Sequence, residues 1–329
     1  MTSISPRAPW DRGICRCVAA AALVLAALNP FFFSGHPVVT GMVFGAQGGA
    51  DAAIATRTVP PARTAPSKQT PTKPFPFQDS RSRLKVKSKI ALVVDANTSE
   101  ELLVKNADKV VPIASITKLM TAMVVIDAKL PPHEMLRINN DDRDLLMGTS
   151  SRLQIGWALS REDMLHLALM SSENRAAAAL SRYYPGGRLA FIRAMNAKAA
   201  ELGMTHTHFV NPNGLTNKNV STAIDLADLV QVADQYPLIR EFTTDPHYDV
   251  RIGRYILSFF NTNRLVGRPD WDIDLQKTGF TNEAGDCVVM RVNVEGRSLI
   301  MIFLDATGKL TRFADARRVR LQLALLQKK

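Results

Sequence analysis

Three short runs hold side chains that can cooperate in acyl transfer. In "PIASITKLM" (112–120), Ser115 and Lys118 stand three residues apart where an apolar run begins. At that spacing on a helix the two side chains share a face, so the amine reaches the hydroxyl. A free serine is a poor nucleophile until a base takes its proton. Lysine is such a base only when neutral, which means lowering its usual pKa of about 10.4 by about three units, or roughly 4 kcal/mol. Burial and a second nearby cation both push that way. A helix N-terminus also favours developing negative charge, by about 0.3–1 kcal/mol. Taken alone, such a pair is most often a helix cap beside a surface amine. Two further runs give it weight. "SSEN" (171–174) puts Ser172 and Asn174 in a polar break between two apolar stretches, and "KTG" (277–279) puts Lys277, Thr278 and Gly279 in a strand-like run ending at Phe280.

The elements that must position these runs follow from periodicity. "KIALVVDANTSEELLVKN" reads as two strands about a turn at Asn97-Thr98-Ser99. Pro112 and Ser115 mark a helix start, followed by Leu119, Met120, Met123, Val124 and Ile126 at mostly helical spacing. Ser160 and Asp163 form a capping box ahead of "MLHLALM", and "RAAAALSRYY" is a second helical stretch stopped at Pro185. Leu189, Ile192, Met195, Ala199 and Leu202 make one helical stripe, closed by Gly203. Thr222 and Asp225 read as another capping box, for a helix ending before Pro237. "WDIDLQKTGF", "GDCVVMRVNV" and "RSLIMIFLDA" read as three strands, with a tight turn at Glu295-Gly296, and "FADARRVRLQLALLQ" as a closing amphipathic helix. Strands at both ends with helices between them predict an α/β (α+β) domain, with a central antiparallel sheet formed from both ends and helices packed around it.

Charge and composition narrow the class. The chain has 329 residues and a formal charge of +11. Twelve basic and three acidic residues lie at or before Lys89, whereas the remaining 29 basic and 27 acidic residues nearly balance. A nucleic-acid binder would carry the excess on its folded domain, so none is expected as a partner. Arg7, Arg12 and Arg16 precede the apolar run "VAAAALVLAAL" (18–28), which reads as a secretory signal, short for a membrane span; an uncleaved anchor is the alternative. The expected organisation is signal or anchor over 1–50, a Pro/Thr/Lys-rich linker over 51–88, and one domain over 89–329, exported to the periplasm or cell envelope. The basic linker is a solvated spacer or a tether to anionic polymer or lipid headgroups. Cys287, flanked by apolar residues, reads as a small core residue. His206 and His208 form an H-x-H pair with no carboxylate or H-E-x-x-H partner, so they read as loop histidines and no metal site is expected. His166 reads as a satisfied helix histidine, and Trp157 and Trp271 read as packing residues.

S-x-x-K, S-x-N and K-T-G in that order are an active-site set of penicillin-interacting serine enzymes. The likeness extends through "PIASITKLMTAMVVIDAKLP", "LALMSSENRAAAAL", "YYPGG", "FIRAMNAKAAELGM" and "KTGFTNEAGDCVVMR". From about Ile90 onward the chain resembles the low-molecular-mass penicillin-binding proteins, the serine D-Ala-D-Ala peptidases, and among them the D-alanyl-D-alanine endopeptidases of the penicillin-binding protein 7 type. The resemblance implies a β-lactamase/transpeptidase-like fold with a helical subdomain, no cofactor, peptidoglycan stem peptides as substrate, and β-lactams as covalent inhibitors. It implies that Ser115 attacks the D-Ala carbonyl, with Lys118 as base. Ser172 relays a proton to the leaving amine, with Lys277 as a second candidate in that relay, and Asn174 holds substrate and Lys118. The strand Lys277, Thr278, Gly279 and Phe280 binds the peptide by edge pairing, and the backbone N–H groups of Ser115 and Phe280 form the oxyanion hole. No E-x-x-L-N run lies between Asn174 and Lys277, so fast β-lactam hydrolysis is not expected. Glu173, where many carboxypeptidases of the family have glycine, and a chain ending about fifty residues after Lys277 favour the endopeptidase over its nearest rival, a D-Ala carboxypeptidase. A non-catalytic peptidoglycan-binding relative is the third reading, and no motif residue is missing to favour it.

Overall fold

The computed structural model describes residues 84–145 and 147–327. The expected signal or anchor and all but the end of the expected linker lie outside the described residues. In chain order, β1 (Ile90–Asp95) and β2 (Glu101–Lys105) are followed by β3 (Val111–Pro112), a 3-10 turn (Ala114–Ile116) and α1 (Thr117–Asp127). Next come β4 (Met135–Arg137), β5 (Ala158–Ser160), α2 (Arg161–Met170), α3 (Asn174–Arg182) and α4 (Gly187–Glu201). β6 (Val220–Ser221), α5 (Ala223–Ala233), α6 (Pro237–Thr244), β7 (His247–Ile252) and β8 (Tyr255–Phe260) lead to β9 (Asp272–Thr281), β10 (Gly285–Val294), β11 (Arg297–Ala306) and α7 (Thr311–Gln327). None of the described helices is long and apolar enough to cross a membrane.

The main sheet runs β2-β1-β11-β10-β9 and is antiparallel throughout, so both ends of the domain meet in it through β1 and β11. Its inner strands are near-continuous apolar runs because both faces are covered. Ile90, Leu92, Val289, Ile300, Ile302 and Leu304 face the helical core with α1, α2 and α5. Ala91, Val93, Val288, Met290, Met301 and Phe303 face the other way, against Phe313, Val319 and Leu323 of α7. Cys287 is a free, buried thiol in the first of these clusters. The turn joining β10 to β11 has Glu295 at φ 50 and Gly296 at φ 77, the pair of positive values a tight hairpin turn needs.

Several expectations need correction. The buried face of α4 runs through Phe191, Met195 and Ala199, while Leu189 is 72% exposed. Helical spacing alone admitted either stripe, and the bulkier aromatic occupies the core. The box at Ser160–Asp163 is reciprocal. At α5, Thr222 caps Asp225 N, but the Asp225 carboxylate instead accepts from His206 N (2.9 Å) and Thr207 Oγ1 (2.7 Å). Residues 84–88 do not continue a solvated linker. Leu84 and Val86 pack on the α7 side of the sheet, and the backbone N–H groups of Lys87 (2.9 Å) and Ser88 (2.7 Å) donate to the buried Asp315 carboxylate. The β7–β8 hairpin and α6 had no counterpart in the sequence reading.

Candidate active site

Ser115 sits in the 3-10 turn that leads into α1, and Lys118 one turn on is wholly buried. Their side chains meet at 2.7 Å. Ala114, just before, has φ 46, and Ser172 has φ 61. Left-handed backbone at a non-glycine residue costs of order 1–3 kcal/mol and persists where its surroundings over-determine it. Two close approaches do so for Ala114. Gly279 of β9 lies so near that a Cβ there would be 2.9 Å from Ile113 O and 3.2 Å from Ser115 N. Gly214 approaches from the other side, where a Cβ would be 1.9 Å from Ala114 O. Ser115 therefore stands between two glycine backbones, one of them on a strand at the free edge of the sheet.

The Lys118 amine meets four oxygens. It is 2.8 Å from Asn174 Oδ1, 2.8 Å from Asn213 O, 2.7 Å from Ser115 Oγ and 3.4 Å from Ser172 Oγ. Asn174 Oδ1 and Asn213 O can only accept. A neutral amine has two N–H groups for those two acceptors, which leaves its lone pair for the Ser115 hydroxyl proton. Burial lowers the Lys118 pKa to about 7, with the Glu173 carboxylate acting in the opposite sense. Lys277, also wholly buried, is pushed well below the usual lysine value by burial and by the positive charges of Lys118 and Arg312. It donates to Thr278 O at 3.0 Å, and among the described residues it makes no hydrogen bond to Ser172. Ser172 Oγ thus bonds Lys118, at 3.4 Å, rather than Lys277.

A cavity of about 360 Å³ is lined by Ser115, Ser172, Asn174, Thr278, Gly279 and Phe280; Lys118 bonds Ser115 and Asn174 of this lining, and Lys277 bonds Thr278 O. All eight residues singled out from sequence are therefore brought together. The Asn174 amide nitrogen donates to Thr149 Oγ1 at 3.2 Å.

Sequence reasoning missed four contributors. The Asn213 carbonyl is held by a loop that Asn219 organises, accepting from Val210 N (2.8 Å) and donating to Thr117 Oγ1 (3.0 Å), while Thr121 Oγ1 donates to Pro212 O (2.6 Å). Its one visible signal was the turn-type run "NPNG" (211–214). Thr149 and Thr262 also line the cavity, and the Thr262 and Thr278 hydroxyls are 2.6 Å apart. The fourth is Arg312, a guanidinium on the cavity wall that is ion-paired to Asp286 and pushed down to about 10 by burial.

A sheet edge laid against a helix start that carries a serine–lysine pair is the fold and site of penicillin-binding serine peptidases. A penicillin-binding protein of Listeria monocytogenes with bound cefotaxime superimposes with a TM-score of 0.66 at 32% identity, covering 73% of this chain and 98% of that one. The chain belongs to the D-alanyl-D-alanine carboxypeptidase family of serine peptidases, whose model matches residues 77–308. It is 54% identical over 232 residues to the D-alanyl-D-alanine endopeptidase of Pseudomonas aeruginosa, a match covering 70% of this chain and 75% of that protein. It is 50% identical over 241 residues to the D-alanyl-D-alanine endopeptidase of Escherichia coli, covering 73% and 78% respectively.

Proposed function

We propose that this chain is a penicillin-sensitive serine DD-endopeptidase that cuts D-alanyl cross-links between peptidoglycan stem peptides. The observation that carries the reading is the Lys118 amine, 2.7 Å from Ser115 Oγ and 2.8 Å from each of the acceptors Asn174 Oδ1 and Asn213 O; in its neutral form two N–H groups serve those acceptors and the lone pair is left for the Ser115 proton. Ser115 attacks the D-Ala carbonyl carbon as Lys118 takes the hydroxyl proton. The oxyanion forms between the N–H groups of Ser115 and Phe280, which the glycine contact at Gly279 brings alongside one another. Lys118, now an ammonium, passes its proton through Ser172, 3.4 Å away, to the departing amine. An acyl-enzyme remains on Ser115, and water attacks it by the reverse proton path.

The leaving residue of such a bond carries an α-carboxylate. Thr278 and Arg312 supply a hydroxyl and a guanidinium on the same cavity wall to receive it. The acyl half pairs with the free edge of β9. A β-lactam presents the same carbonyl and carboxylate, so it acylates Ser115. The relatives named endopeptidases at 54% and 50% identity support cross-links over pentapeptide ends as substrate. The basic, then apolar start of the chain supports export to the periplasm or cell envelope, with signal cleavage or membrane anchoring as the two outcomes.

The test is a digest of D-Ala–meso-diaminopimelate cross-linked muropeptide dimers beside uncross-linked pentapeptide monomers, read by mass spectrometry. Dimers converted to monomers while pentapeptides keep their terminal D-Ala is the expected result. Pentapeptides losing D-Ala while dimers persist would replace the endopeptidase with a carboxypeptidase working through the same serine.

A further inference from the structure

A second cavity, of about 370 Å³, adjoins the first. The two share Ser150, Ser171 and Glu173, and the second continues outward between Arg152, Phe259 and Phe260. Its position relative to the scissile bond follows from its walls. Phe259 and Phe260 end β8 just before Thr262, whose N–H donates to Met170 O (3.2 Å) and whose hydroxyl meets Thr278 (2.6 Å). Ser171 precedes Ser172. The cavity therefore opens beside Thr262 and Ser172, on the side where the leaving amine takes its proton and the leaving carboxylate meets Thr278. Asn174, Leu215 and Phe280 line the first cavity only.

We infer that this second cavity is a subsite for the leaving stem peptide, the half of a cross-linked substrate that departs with the amine. The inference rests on the endopeptidase reading, because the free D-Ala released by a carboxypeptidase has no chain to place there. Two features fix the chemistry it takes. Arg152 is exposed, lies over the Phe259 ring (4.7 Å) and bonds Ser258 O, yet pairs with no carboxylate among the described residues. Glu173 is buried at the junction of the two cavities and accepts from Arg175 N at 3.0 Å, again with no ion pair among the described residues. A carboxylate at the neck and a guanidinium at the mouth orient an anionic chain with its charge outward. Stem peptides built on γ-linked D-glutamate carry such a carboxylate, and Phe260, 67% exposed, offers a ring face to the methylenes of the bridging diamino acid.

The experiment compares two cross-linked dimers, one with the free D-glutamyl carboxylate on the leaving stem and one with that carboxylate amidated. It measures kcat/KM for each on the wild type, Arg152→Gln and Phe260→Ala, with acylation by benzylpenicillin as the measure of an intact serine in every protein. The wild type should prefer the free carboxylate by about 5-fold, the size of a partly exposed ion pair. Arg152→Gln should erase that preference, and its dimer cleavage should fall relative to its acylation by penicillin. Phe260→Ala should slow both dimers alike. A wild type indifferent to amidation, or an Arg152→Gln variant that keeps the preference, overturns the subsite while leaving the endopeptidase standing. A wild type that is acylated by penicillin but cuts neither dimer overturns the endopeptidase reading, and the subsite with it.

Discussion

Lys118 and Lys277 are wholly buried amines of one site held in opposite ways. Lys118 meets oxygens from its own turn, from Ser172 and Asn174, and from the loop at Asn213. Lys277 gives one bond to the carbonyl of its sequence neighbour Thr278. Burial lowers both, but their neighbours differ. The Glu173 carboxylate works against burial at Lys118, leaving it at about 7, while Lys118 and Arg312 add to burial at Lys277. A buried amine beside an acid becomes a base that switches near neutrality. A buried amine beside cations is lowered on both counts. The difference supports the reading of Lys118 as the base and of Lys277 as a donor to its own strand.

The sharpest break in this contrast is chemical. Lys118→Arg keeps a cation but cannot supply a neutral base, because a guanidinium does not deprotonate. Acylation by benzylpenicillin should fall by at least about 10³-fold, within the range that general bases contribute. Ser115→Ala should give no covalent adduct in an intact-mass spectrum. An adduct on that variant would place the nucleophile elsewhere, and normal acylation of Lys118→Arg would remove Lys118 as the base.

A smaller effect should come from backbone alone. Gly214→Ala puts a Cβ where Ala114 O already is and asks alanine to adopt φ +82. Something must shift, and the Asn213 carbonyl is the nearest group whose movement reaches Lys118. Acylation should fall by about 100-fold, with a loss of about 1–3 kcal/mol in urea unfolding. Gly203→Ala is the matched control, since φ is +74 there with nothing within 4 Å of the added carbon. It should cost about 1 kcal/mol and leave acylation alone. Equal acylation in the two variants would mean that the Asn213 carbonyl does not hold the base.

These two glycines also mark how far sequence reaches. The strands β10 and β11 were readable from their apolar runs, buried on both faces, and β9 from its position before them and the K-T-G run it carries. Ser115, Lys118, Ser172, Asn174 and the run from Lys277 to Phe280 were readable because they form three ordered motifs written in residue types. The Asn213 contribution was not, because it comes from a main-chain carbonyl, which any residue possesses, and its placement depends on Asn219 and Thr117 about a hundred positions apart. Arg312 was hidden in the same way. In sequence it is one of several arginines opening an amphipathic helix, and only the packing of α7 on β10 turns it toward the cavity beside Asp286. In the β7–β8 hairpin, β7 alternates, with Val250 and Ile252 buried between exposed His247, Asp249 and Arg251, but β8 does not: its Tyr255 and Ile256 are both exposed, so the pair was not read.

The mildest test separates the two lysines by titration. With Lys118 at about 7, the rate of acylation should rise through pH 7 and level off above it, falling about tenfold per unit on the acid side. Lys277→Met should lower the plateau by about 10-fold, because a buried donor is lost, yet leave the midpoint where it was, since Lys118 is the amine that touches the Ser115 hydroxyl. Stability should carry the same signature. Between about 7 and 10.5 the unfolded chain binds the Lys118 proton and the folded chain does not, so stability rises with pH across that window, and below it the full cost of burying the amine is present. Lys277 adds a rise of the same sign, because burial lowers its amine too. Lys118→Met should therefore flatten the stability profile between pH 7 and pH 9 without removing the slope. A midpoint that moves by about a unit in Lys277→Met would mean that the two amines share one proton, and the separation of base from strand donor would fail.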